Sequence, residues 1–132
     1  MSAETPVSNS IFALLSADPT ISSLVGIRIY ADVAPFGTQD PWIAYQRISN
    51  QREQSHDGYD GMSISRYQFA AYSSVRANVE AIREALLDLF DGKANDIDGE
   101  HIVTLHANDH DAWDGETKTF ATHTDFSVSR NQ

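Results

Sequence analysis

"ISRYQFAAYSSVRANVEAIREALLDLFDG", residues 64–92, changes its apolar period once, around residues 73 and 74. In the first part Tyr67, Phe69 and Ala71 recur at every second position, which places them on one face of a strand over 64–73. In the second part Val75, Val79, Ile82, Leu86 and Phe90 fall at spacings of four, three, four and four. That pattern predicts an amphipathic helix over 74–92, with Ser74 as its cap and Gly92 as its stop. A strand that runs into a helix, each with one apolar face, is the minimal unit of a sheet covered by a helix.

Both flanks fit this unit. Upstream, residues 5–17 read as a helix with Thr5 as cap and Pro6 at the first helical position. A shorter helix follows, capped by Asp18, opened by Pro19 and ended by Gly26. Residues 27–33 and 42–49 read as strands around a Pro/Gly turn at 35–41. Residues 50–63 are polar and Gly-punctuated, which suits a long loop or the continuation of a hairpin. Downstream, 93–100 reads as a turn, and 101–107 and 119–129 as strands. In the last strand Phe120, Thr122, Thr124, Phe126 and Val128 share one face; Ala121, His123, Asp125 and Ser127 share the other, exposed or at an interface. The expectation is an α+β fold in which a mainly antiparallel β-sheet packs against one long helix, with further N-terminal helices, as a single domain over 1–132.

Composition narrows the function. Nineteen acidic residues against nine basic ones give a net charge of −10. The bases are scattered singly, so the clustered cationic surface needed to hold a phosphate backbone is missing. There is no cysteine, and so no disulfide or thiolate chemistry. The N-terminal residues lack the basic start and apolar run of a signal peptide, and no apolar run is long enough to span a membrane.

One window carries the side chains of a chemical site. "TLHANDHDAWDGET", residues 104–117, contains His106, Asp109, His110, Asp111, Asp114 and Glu116. The "HANDH" spacing imitates H-E-x-x-H, but Ala107 stands where the general-base Glu belongs. An extended chain would hold those two imidazoles about 13 Å apart, too far to share one zinc ion. The Ca²⁺-loop register fails as well: a loop with Gly99 at its sixth position has Ala94 first and Leu105 twelfth. No nucleophile elbow, P-loop or dinucleotide fingerprint is present, and no spacing singles out a carboxylate pair. The window reads as a polar strand-to-strand loop, expected to need neither metal nor cofactor. Trp42 reads as sheet packing, and Trp113 either anchors the loop or meets a partner.

"LLSADPTISSLVGIRIYADVAPFGTQDPWIAYQRIS", residues 14–49, resembles the opening of the tail-completion, or tail-terminator, family of long-tailed bacteriophages and gene-transfer particles. The markers are Leu24 and Val25, then Arg28, Ile29 and Tyr30, then Pro35, Pro41, Trp42, Ile43 and Tyr45. The strand at 64–73, the helix after it and the closing "DFSVSR" complete the pattern. The resemblance implies a non-enzymatic structural virion protein: an α+β subunit of a homo-oligomeric ring, usually a hexamer, that caps the tail tube protein. It would meet a head-side connector or stopper and let DNA through its pore without specific binding and with no membrane contact. Its place would be the virion tail at the head–tail junction, after assembly in the host cytoplasm. Another connector component, a stopper or adaptor, is the alternative, and a small metal-dependent enzyme using the His/Asp cluster a further one. Within this frame Arg52, His56, Asp109, His110, Asp111, Trp113 and His123 are the candidate subunit or partner contacts.

Overall fold

The computed structural model describes residues 5–55, 58–97 and 100–131. Its elements are α1 (Thr5–Ala17), α2 (Pro19–Val25), β1 (Ile29–Ala31), β2 (Trp42–Ser55), β3 (Gly58–Ser73), α3 (Arg76–Phe90), β4 (Lys93–Ile97), β5 (Glu100–Asp114) and β6 (Thr119–Asn131). The strands form one sheet in the order β1-β2-β3-β6-β5-β4. β1 runs parallel to β2, and every other neighbouring pair is antiparallel. The α+β expectation holds at the level of class. The sheet is mixed, because the loop after β1 brings the chain back to run alongside it in the same direction. Three helices accompany the sheet, and α1, at 13 residues, nearly matches α3, at 15.

The alternation read from β3 and β6 is the core. Tyr67, Phe69 and Ala71 are buried with Thr122, Thr124, Phe126 and Val128. Against them α3 sets Val79, Ile82, Leu86 and Phe90, and α1 and α2 add Ile11, Leu15, Ile21 and Val25. Phe69 sits at the centre, stacked on Phe90 at 5.2 Å between centroids and edge-on to Phe126 at 5.6 Å.

Local signals place the helix ends. Asp18 accepts the Ile21 N–H at 3.0 Å, and Gly26 turns the chain out of α2 at φ 61°. The start of α3 differs from expectation: Val75, not Ser74, is the N-cap residue; it is extended and half exposed, and no side chain of its own caps the helix. Asp40 instead accepts both the Ser74 N–H at 2.8 Å and its hydroxyl at 2.5 Å, while Ser73 Oγ accepts the Val75 N–H at 3.0 Å. Gly92 ends α3 at φ 69° and donates its N–H to the Thr104 carbonyl. β1 is shorter than the strand expected over 27–33, because Asp32 turns the chain at φ 66°.

Two segments expected as a turn and a loop, 93–97 and most of 104–117, are paired strand, and of the two readings of 50–63 the hairpin continuation holds. Residues 50–63 extend the β2–β3 hairpin to Ser55 opposite Gly58. Residues 93–97 form β4. Most of the window 104–117 is the second half of β5, paired with β6 up to Asp114 opposite Thr119. Asp- and Asn-rich sequence is poor strand material by propensity, but a continuous antiparallel partner supplies the backbone bonds regardless.

Candidate functional site

β5 and β6 form a long hairpin with its tip at residues 115–118, and most of the sequence candidates lie on it. A bulge fixes how they are displayed. His106 faces Phe126 and Asn108 faces Asp125, so Ala107 is the extra residue. Without it His106 and His110, four apart, would share a face of the strand; with it they lie on opposite faces.

On the helix-bearing face, Asp109 accepts Arg83 Nη1 at 3.2 Å and lies 3.6 Å from His106 Nε2. Asp111 accepts the Thr122 hydroxyl at 3.0 Å. Trp113 packs its ring on Phe120 at 4.4 Å yet stays 54% exposed. It is thus an anchor on one side and an open apolar surface on the other. A groove of about 220 Å³ runs beside it, between Arg76, Val79 and Glu80 of α3 and Asp111, Phe120 and Thr122 of the hairpin.

On the opposite face, His110 and His123 are direct cross-strand partners and stack at 4.7 Å with an 11° interplanar angle. Tyr72 meets His123 edge-on at 6.2 Å, and Trp42 stacks on Tyr72 at 5.1 Å. An aromatic row therefore crosses β2, β3, β6 and β5 on the face away from the helices. A groove of about 390 Å³ lies along it, lined by Trp42, Tyr72 and His123 and, at the hairpin end, also by Thr117 and by Trp113, which borders both grooves. Burial, and His110 beside it, push the His123 imidazole below its ordinary pKa, while the carboxylate of Asp125 acts the other way. His123 Nδ1 is buried with no hydrogen-bond partner among the described residues. Asp125, also buried, accepts Gln68 Nε2 at 3.1 Å and lies 3.8 Å from Arg66.

The turn is held by Asp114, which accepts the backbone N–H of Glu116 at 2.9 Å and of Thr117 at 3.4 Å. Those bonds, Glu116 first, lower the pKa of the Asp114 carboxyl. They are the Asx-turn chemistry of an Asp-Gly tip, not a ligand cage.

The candidates therefore separate. His110 and His123 come together, Asp109, Asp111 and Trp113 line the other face, and Arg52 lies across the sheet in β2, opposite Ser63. His56 lies outside the described residues. Among the described residues no three His, Asp or Glu side chains are grouped to hold a metal ion. Arg83, Tyr72 and the open-face role of Trp42 escape a sequence reading. For Tyr72 and Trp42 the only signal is period-2 alternation, and for Arg83 its place on the helix α3; such periods give faces but not which elements are neighbours.

The fold has a close counterpart of known structure. A chain from the virion of a native gene transfer agent particle superposes with a TM-score of 0.82, covering 100% of both chains at 14% identity. No curated protein matches the chain. The family model described as "Tail completion protein gp17" matches residues 9–129, and the chain belongs to that family.

Proposed function

We propose that this chain is a tail terminator, a structural virion subunit that forms a ring, six-fold in the usual case, on the end of the finished tail tube. The ring stops tube growth and presents its other surface to the head-side connector. The observation that carries this reading is the family match over residues 9–129. A chain of similar fold occurs in a gene transfer agent virion, which is in keeping with it. In this role the subunit acts by shape, without catalysis and without metal or cofactor, as one domain assembled in the host cytoplasm and retained at the head–tail junction. The net charge of −10 suits a pore that lets DNA slide through without holding it. Basic side chains lining the pore would contradict that part.

A strain lacking the gene tests the assignment. Electron microscopy is expected to show filled heads together with overlong or unjoined tails. Tails of normal length that fail to join heads would instead indicate a stopper or adaptor. Normal particles would refute both.

A further inference from the structure

The sheet carries two open edges. Beyond Thr104, β5 has β6 on one side and, among the described residues, no strand on the other, because β4 covers only Glu100 to Thr104. On the far side β1 covers β2 only at Ile43, Ala44 and Tyr45, which leaves the outer edge from Gln46 onward without a strand among the described residues. Unpaired edges are commonly blunted by proline, by bulges, by brevity or by charged side chains, lysine above all; like charges guard an edge against its own copy and leave it open to an unlike one. Residues 108–114 contain no bulge, proline or lysine. β2 has a bulge at Ile48, and its register with β3 shifts again between Arg52 and Gln54, where the extra residues lie in β3; residues 49–52 are left as its regular stretch.

We propose that these two edges form one joint between copies of this chain: residues 108–114 of β5 pair antiparallel with residues 49–52 of β2 in the next subunit. The proposal rests on the ring reading above and specifies its contact. Three observations carry it. The first is charge. The β5 edge and its turn, 108–118, hold Asp109, Asp111, Asp114 and Glu116 against Lys118, a net of −3. The β2 edge, 46–55, holds Arg47 and Arg52 against Glu53, a net of +1 in a chain of net −10. Pairing β5 with β5 would set two acidic edges together; pairing β5 with β2 sets unlike charges across the joint. The second is direction. β2, β3, β6 and β5 alternate in sense, so a following subunit in the same orientation offers a β2 antiparallel to β5.

The third is the offset between the edges. The middle of the β5 edge, Asp111, aligns through Thr122 with Ala71 of β3. The regular part of the β2 edge aligns through Asn50 with Ser65 of β3. The six residues from Ser65 to Ala71 amount to roughly 20 Å along the strands. From β2 to the next subunit's β2 is four strand spacings, about 19 Å. A sheet continued in this way has strands inclined at roughly 45°, close to the tilt at which β-sheets close on themselves. The joint is heterologous, as a ring requires.

The chain has no cysteine, so paired cysteines give an unobscured test. Asp111→Cys and Ala112→Cys, one on each face of β5, are each combined with Cys at Ser49, Asn50, Gln51 or Arg52 and oxidised in assembled particles. Ser23→Cys, exposed on α2, serves as the background control. The expected result is a ladder of disulfide-linked multimers for at least one β5–β2 combination, and none for a β5 cysteine alone. Rings seen by electron microscopy but cross-linked in no register would overturn the joint and leave the ring reading standing. Efficient β5-to-β5 cross-linking would overturn the heterologous pairing. Failure of the unmodified chain to form a ring on tail tubes would remove both.

Discussion

Phe69→Ala is the sharpest test of which face of the sheet is interior. Phe69 is fully buried and contacts the rings of Phe90, Phe126 and Tyr45, the last at 6.2 Å. Truncating a buried Phe costs about 3–5 kcal/mol through lost transfer energy and the cavity left behind. For a chain of this size each kcal/mol moves the melting temperature by about 3–5 °C, so the expected drop is roughly 10–20 °C. Phe69→Leu refills most of the volume but loses the ring geometry, worth about 0.5–1.5 kcal/mol per aromatic pair. It should fall between the parent and Phe69→Ala. Phe36→Ala is the matched control: the same chemistry on a fully exposed side chain in the 32–41 loop, expected to cost under about 0.5 kcal/mol. Far-UV circular dichroism melts at one fixed low protein concentration are the assay, since assembly stabilises by mass action. A drop below about 3 °C for Phe69→Ala, or equal drops for Phe69→Ala and Phe36→Ala, would refute the core as described.

Further outcomes follow from named contacts. Asp18→Ala removes the bond to the Ile21 N–H and should cost about 1 kcal/mol in urea unfolding, whereas Asp18→Asn should retain most of it. His123 is held below its ordinary pKa, so the unfolded chain takes up a proton first as pH falls below about 6.5, and stability should decline there until the folded imidazole also protonates. His123→Gln should flatten that part of the pH profile; identical slopes for parent and variant would dismiss the cause. Burial alone would raise the Asp40 carboxyl, but hydrogen bonds from Ser73 and Ser74 and the charge of Arg28 hold it below its ordinary value. The stability it lends is present above about pH 4 and lost as pH falls through the folded value, so Asp40→Asn should weaken that acid-side loss.

The sequence by itself determined every element whose burial is periodic. The alternation at Tyr67, Phe69 and Ala71, the helical spacing from Val79 to Phe90, and the Asp18 and Gly26 signals are local patterns. Each reports the face or end that a segment must bury or close, and each is seen in the fold. The family resemblance was legible for the same reason, since its markers lie in the first third of that pattern. Tertiary structure decided the rest. Only the register with β6 turned "HANDHDAWD" from loop into strand, and only the bulge at Ala107 parted His106 from His110 and set His110 on His123. Which strand neighbours which is a pairing over long separations, such as Gln68 with Asp125. No local spacing encodes it, because the backbone groups that form a ladder are the same at every residue.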